Sequence, residues 1–143
     1  AEDYETVRVK GFGLDGTVEG AVLVNSPFDS PTRLTGSLNL LGNYGTYGQK
    51  LRIKRGNIQY FNAEVDEPIL NILAEREIDS ENMTVGLQIT GPASRPKTQV
   101  VSSAGLPENE ALSWLMFGQP LNNVSSGDAE TVNAKSMALN AGG

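Results

Sequence analysis

The sequence contains no cysteine among its 143 residues and no histidine either. Without thiolate and imidazole groups, the usual nucleophile–base pairs and most transition-metal sites cannot be assembled. Disulfides are excluded too, but a cysteine-free chain is compatible with a periplasm as well as with a reducing compartment. We therefore expect no catalytic site, no metal site and no bound cofactor.

Aromatic residues, basic charge and long apolar runs are also scarce. Aromatic side chains make up 6% of the chain, and 17 acids against 11 bases give a net charge of -6. Because this balance repels a phosphate backbone, we expect no nucleic-acid partner. No stretch approaches the roughly 20 apolar residues that span a bilayer, so we expect any membrane anchor to lie outside this sequence.

Paired carboxylates are the catalytic chemistry that remains. Asp66 and Glu67 are adjacent, and a second run lies further along the chain at Glu75, Glu77, Asp79 and Glu81. A glycosidase places two such groups at a fixed separation beside sugar-binding aromatics, which are rare here. We interpret these acids as a solvated strand face and a loop.

Apolar and polar residues alternate in repeated short runs, the pattern of a strand with one buried face. In two of these runs a glycine, Gly20 or Gly36, stands at a position where the alternation calls for an apolar residue. The shared feature indicates a degenerate repeat. The phase slips at residues 55–57, where a turn or bulge at Gly56 would absorb the slip. The runs predict about seven to nine strands of an all-β fold. They lie at residues 7–10, 17–24, 34–40, 51–60, 70–74, 83–89 and 98–102.

The glycine-rich stretch that contains Gly42, Gly45 and Gly48 has some likeness to a phosphate-binding loop. A phosphate-binding loop ends in Gly-Lys-Ser/Thr and leads into a helix, and neither feature is present here. We predict a tyrosine-bearing turn between two strands.

One segment breaks the alternation and predicts a short helix near residues 107–117. Pro107 suits the first helical position, acids follow it in the first turn, and Gly118 suits the position after the helix. The face of this helix that we expect to lie against the sheet carries Ala111, Leu112, Leu115 and Met116, with Trp114 and Phe117 at its flanks. We expect the helix to cover the sheet or to cap one end of it.

The chain divides into a β section at residues 1–120 and a polar or weakly helical segment at residues 121–143. Small and polar residues dominate from Asn122 onward. Residues 129–139 have the composition of a weak helix that needs a partner to persist. By periodicity alone, the aliphatic faces of the strands are typical of an ordinary sandwich or barrel core.

Four blocks of sequence carry a resemblance to a known family. They are residues 47–61 (YGQKLRIKRGNIQYF), 66–72 (DEPILNI), 85–91 (VGLQITG, followed by Pro96-Lys97) and 110–119 (EALSWLMFGQ). In this order, and over roughly residues 7–120, they resemble the strand pair, the two following strands and the helix of the TamB C-terminal family. The chain departs from the family pattern at Asn62, near a position where the family often has glycine.

The resemblance implies a periplasmic section of an inner-membrane-anchored protein that pairs with the outer-membrane barrel protein TamA. Such proteins are linked to outer-membrane assembly and to phospholipid transfer between the two membranes. The implied fold is a curled, mostly antiparallel or mixed sheet, an open β-taco or half-barrel trough with an apolar interior. On this reading a lipid groove is lined by Val18, Val22, Leu38, Leu40, Leu51, Ile53, Ile58, Leu70, Ile72, Val85, Leu87 and Ile89.

Two functions remain open at this point. The first is a lipid conduit, whose ligands are phospholipid acyl chains. The alternative is a chaperone-like module that binds nascent outer-membrane protein strands by β-augmentation, because an open sheet has edges that can pair with another strand.

Overall fold

The fold is one seven-stranded antiparallel sheet with two helices at one end. In a computed structural model, residues 5–11, 14–46 and 49–142 are described. Neighbouring strands in the sequence are neighbours in the sheet, and the order runs from β1 to β7 without a crossover. The strands are β1 (Glu5–Gly11), β2 (Leu14–Asn25), β3 (Arg33–Thr46), β4 (Gln49–Ala63), β5 (Ile69–Ile78), β6 (Met83–Pro92) and β7 (Lys97–Ser102).

The sheet is open, because β1 and β7 do not pair with each other in the described register. The predicted fold class is therefore confirmed: the chain is mostly β, with an open antiparallel sheet that is consistent with a curled trough. Its seven strands are the lower end of the predicted range. The alternation slips inside the single long strand β4, where the pairing with β5 shifts between Ile53 and Arg55. This bulge lies just before Gly56, the position that the sequence indicated.

The predicted turn around Gly42 and Gly45 is shorter than expected. Strand β3 continues to Thr46, so both glycines lie within it, while Tyr47 and Gly48 lie outside the described residues. Gly42 pairs with Gly16 and has a φ of 128°. A Cβ atom on Gly42 would lie 2.4 Å from the Asp15 carbonyl oxygen and 2.5 Å from the Gly16 Cα. Gly42 therefore lets the backbones of β2 and β3 approach closely, because a side chain would not fit between them. The interpretation of this stretch as a turn missed that role.

Asn62, at which the chain departs from the family pattern, has a backbone conformation that glycine adopts easily. Its φ is 54°, in the left-handed region that glycine adopts freely and that asparagine tolerates better than most residues. The Arg33 guanidinium donates to the Asn62 carbonyl at 2.9 Å, and the Asn62 N–H donates to the Thr35 hydroxyl at 3.1 Å. Asn62 thus adopts a positive φ near the position where the resemblance leads us to expect glycine.

Helix α1 (Glu108–Phe117) begins one residue after Pro107, which has extended backbone angles and precedes the helix rather than opening it. Gly118 ends the helix as predicted, with a φ of 68° and its N–H donating to the Trp114 carbonyl at 3.0 Å. Helix α2 (Ser126–Gly142) is longer than the predicted weak helix. Neither described helix has the length and apolar character needed to cross a membrane.

Helix α1 packs against both the sheet and α2. It contacts β4, β6, β7 and α2, and α2 also contacts β7. Every residue from 111 to 116 is buried, including Trp114, which the sequence placed at a flank of the helix. The physical reason is that α1 packs against α2 as well as against the sheet, and a helix with two packing partners buries more than one face. Among the α2 residues whose burial is described (126–139), Val132 is the fully buried one.

Candidate functional site: an apolar sheet face in two halves

The strand register places all twelve predicted groove residues on one face of the sheet. Residues paired directly across two antiparallel strands point to the same side, and the side alternates along each strand. Val18 pairs with Leu40, and Ile72 pairs with Ile89. Leu38 and Leu70 both pair with Ile58 from opposite sides. The other groove residues follow from these pairs by alternation along each strand, once the extra residue of the β4 bulge is counted. All twelve therefore lie on the same side of the sheet, which we call the inner face.

The opposite side, which we call the outer face, is mostly polar. Arg52 pairs there with Glu75, and Asn57 pairs with Asn71. This division is typical of an antiparallel sheet that has one face in water. The inner face is therefore the more apolar side of the sheet, although the outer face also exposes some apolar side chains, namely Leu23, Leu41, Phe61 and Ile69.

Five of the twelve groove residues belong to the core that forms under α1. Leu51, Ile53 and Val85 are buried in the same cluster as the helix residues Ala111, Leu112 and Leu115. Leu40 and Leu87 are partly buried and pack against that cluster. We call this part of the inner face the covered half.

The other seven groove residues lie outside this cluster. Each of them is half-buried, and none is enclosed by α1 or α2 in the described structure. We call this part the open half, and its groove residues are Val18, Val22, Leu38, Ile58, Leu70, Ile72 and Ile89. Their role in binding lipid stays a prediction.

On β4 to β7, the boundary between the two halves follows the strand register, whereas on β2 and β3 it passes between the paired residues Val18 and Leu40. One row of paired inner residues consists of Ile53, Ala74, Leu87 and Val100, and all four belong to the core cluster or pack against it. The next row, Gly56, Ile72, Ile89 and Thr98, lies beyond it. Two residues along a strand, about 7 Å, therefore separate a covered position from an open one.

At the end of the strands away from the helices, the apolar surface continues around the edge of the open half. The exposed apolar residues there include Val24, Phe61 and Val65, and Phe28 in the β2–β3 loop is 99% exposed. The Tyr60 hydroxyl donates to the Val65 carbonyl at 2.7 Å and holds the β4–β5 loop against the inner face. The open half thus leads to an apolar edge.

Arg76 is a residue of the inner face that the sequence interpretation did not single out. It pairs with Val85, so it shares the face of Ala74 and Ile78. Along β2–β7, it is the one charged residue at an inner position of the described register. Its guanidinium donates to the Trp114 carbonyl at 3.1 Å. The signal was present in the sequence, because Arg76 interrupts the apolar phase that runs from Leu70 to Ile78.

The acidic residues do not converge on the inner face. Asp66 and Glu67 lie with Glu64 in the β4–β5 loop, where one oxygen from each carboxylate lies within 4.8 Å of the others. Exposed acidic groups of this kind are common without an ion, so they support no metal site. In the second run, Glu75 and Glu77 occupy outer positions of β5, while Asp79 and Glu81 lie in the 3-10 turn that follows.

Comparison with known proteins shows which family the chain resembles. The family model described as the TamB C-terminal domain matches residues 4–143. The translocation and assembly module subunit TamB of Haemophilus influenzae is 31% identical over 137 residues, which is 93% of this chain. The chain spans about 10% of the length of that relative.

Proposed function

The chain belongs to the TamB C-terminal domain family, and from this premise we propose that it is a non-catalytic periplasmic section of a TamB-like protein. We propose that its inner face carries phospholipid acyl chains between the inner and outer membranes and thereby supports outer-membrane assembly together with TamA. The supporting observation is the set of half-buried aliphatic side chains on the inner face of the open half, where Leu38, Ile58 and Leu70 pair in one row and Ile72 pairs with Ile89 in the next. The membrane anchor would belong to another part of the longer protein.

Burial of hydrocarbon supplies the binding energy in this proposal. Each methylene group removed from water contributes about 0.8 kcal/mol, so a chain of about 16 carbons could gain on the order of 10 kcal/mol. The interaction is non-directional, so neighbouring positions along the inner face are close in energy and a chain can slide between them. The polar headgroup would stay in water at the open side of the trough. No nucleotide and no chemical step are needed here.

The dimensions fit one section of a longer path. Seven strands have six spacings of about 4.8 Å, which gives a sheet about 29 Å across its strands. This is close to the roughly 30 Å hydrocarbon thickness of one bilayer. Since the chain spans about 10% of its TamB relative, we propose that the remaining sections extend the trough.

A photo-crosslinking amino acid at Ile72 in the full-length protein should capture phospholipid in cells, because Ile72 lies on the inner face of the open half. The matched control is Leu73, which is its neighbour in the chain and occupies an outer position. We expect phospholipid at Ile72 and little or none at Leu73. Equal labelling at both positions, or recovery of protein strands alone at Ile72, would contradict the conduit.

Substitution provides the second arm of the same test. Ile72→Asp places a carboxylate in the apolar path, where desolvation of the charge is costly, so we expect loss of lipid transfer. Asn71→Asp introduces the same group at the neighbouring exposed outer position and should transfer lipid normally. Normal transfer by a folded Ile72→Asp protein would rule out an acyl path at this position.

The open edges of the sheet support the second candidate function. Strands β1 and β7 each have one unpaired side in the described register, and such edges can receive an added strand. On this alternative proposal, the chain binds nascent outer-membrane protein strands. Crosslinkers in β7 should then capture client segments, whereas inner positions such as Ile72 should capture no lipid.

A further inference from the structure

Helix α1 occupies part of the surface that the proposed function assigns to acyl chains. Its residues Ala111, Leu112 and Leu115 are at most 1% exposed and pack in one cluster with Leu51 and Val85 of the inner face. These helix side chains therefore take the place of hydrocarbon in the covered half. An acyl chain that reaches the row of Leu87 must stop there or displace the helix.

Apolar contacts alone would distinguish poorly between the helix and a lipid. Burial of a leucine side chain and burial of a methylene chain are stabilised by the same non-directional effect. A polar contact can discriminate, because an acyl chain has no hydrogen-bonding group. The contact between the sheet and the last turn of α1 is of this kind.

Arg76 makes that contact. Its guanidinium donates to the Trp114 carbonyl at 3.1 Å, and the Gly118 N–H donates to the same oxygen at 3.0 Å. The guanidinium also lies over Gly118, since a Cβ atom there would be 2.9 Å from one of its nitrogens. A cation at the carboxyl end of a helix is favoured by the helix dipole. With hydrocarbon in place of the helix, the guanidinium would lose this acceptor in an apolar setting, which is unfavourable.

We propose that α1 is an end stop for acyl chains and that Arg76 is the positioning residue that holds it against displacement by lipid. This inference rests on the proposed conduit function. The lipid site is then confined to the open half, with its end at the row of Ile72 and Ile89. Loss of the Arg76 contact should let acyl chains enter the covered half.

The test compares two positions on one strand of the full-length protein. A photo-crosslinking amino acid is placed at Leu87, in the covered row, or at Ile89, two residues along the same face in the open row. With Arg76 present, we expect phospholipid at Ile89 and little at Leu87. With Arg76→Gln, capture at Leu87 should rise about tenfold, as loss of one charge-assisted hydrogen bond would allow, while capture at Ile89 persists.

Two further variants keep the result interpretable. Arg52→Gln makes the same change at an exposed outer position of β4 and should leave Leu87 unlabelled. Arg76→Lys keeps the charge but replaces the planar fork with a single ammonium, so intermediate capture at Leu87 is expected. If Arg76→Gln fails to fold, Ile89 loses its label, and the lysine variant then provides the test.

Three outcomes would overturn the proposal. Equal phospholipid capture at Leu87 and Ile89 with Arg76 present would show that α1 does not keep acyl chains out of the covered half. Capture at Ile89 with no rise at Leu87 in either Arg76 variant would remove the role of Arg76. Absence of lipid at Ile89 in the unsubstituted protein would contradict the conduit function itself. This outcome differs from the other two, in which lipid is still captured at Ile89.

Discussion

The covered and open halves of the inner face have the same strand pattern and very different surroundings. In the covered half, Leu51 and Val85 are 0% and 1% exposed, because α1 fills the space above them. In the open half, Ile58 lies between Asn57 and Gln59 in the same alternating pattern, yet it stays half-buried, as does Ile72. The helix and not the strands makes this difference. A strand pattern can thus show which face is apolar without showing whether that face is enclosed.

The two halves also rely on different sources of stability. The covered half packs together side chains of the sheet, α1 and α2. On β2 and β3 the open half contains Gly20 and Gly36 at inner positions, where a neighbouring strand approaches too closely for a side chain. We infer that the covered half is held by packing and the open half by its backbone arrangement. Substitutions matched between the halves test this inference.

The largest effect is expected from deletion of side-chain volume under α1. Leu51→Ala leaves a cavity in the core and should lower the free energy of unfolding by about 2–5 kcal/mol. Ile58→Ala, on the same strand and face in the open half, should cost about 1 kcal/mol, because its side chain is only half removed from water. Urea unfolding followed by the fluorescence of Trp114, the one tryptophan, measures both. Equal losses would show that the two positions share one environment.

Sequence reasoning recovered the strands well because alternation is a local signal. The pattern of Leu70, Ile72 and Ala74 reports directly which side chains share a face, and the register agrees. The length of β3 was underestimated, because its glycines were read as a turn although Gly42 serves a close pairing with Gly16. Such a pairing depends on a strand that is distant in sequence, so no local pattern reveals it.

The sequence predicted that the candidate groove residues share one face of the sheet, but it did not predict the division of that face into a covered and an open half. Alternation and the family resemblance named residues that lie on one face, but Leu87 and Ile89 are equivalent in any strand pattern. The path of the chain after β7 determines which of them meets α1. The burial of Trp114 likewise depends on tertiary packing around α1, to which α2 contributes, and α2 has few apolar residues and gives only a weak signal of its own.

A smaller effect is expected from a methyl group added in the open half. Gly36 has a φ of 149°, and a Cβ atom there would lie 2.4 Å from the Ala21 carbonyl oxygen and 2.8 Å from the Val22 Cα. Gly36→Ala should therefore lower the free energy of unfolding by about 1–3 kcal/mol through backbone strain. Gly127→Ala is the matched control, because no atom lies within 4 Å of its Cβ position and it sits in α2. There the same change should be neutral or stabilising by about 0.5–1 kcal/mol.

The smallest effect concerns helix α2, which packs on the covered half. Val132 is 0% exposed, and Val132→Ala removes two methyl-sized groups at about 0.8 kcal/mol each, so we expect a loss of about 1.5 kcal/mol. Met137→Ala, on the same helix but 72% exposed, should change stability little. Hydrogen exchange separates a local role from a global one. If α2 holds α1 against the sheet, the α1 amides should exchange faster in Val132→Ala while the β2 and β3 amides remain protected. Unchanged α1 exchange would mean that the sheet alone keeps this half covered.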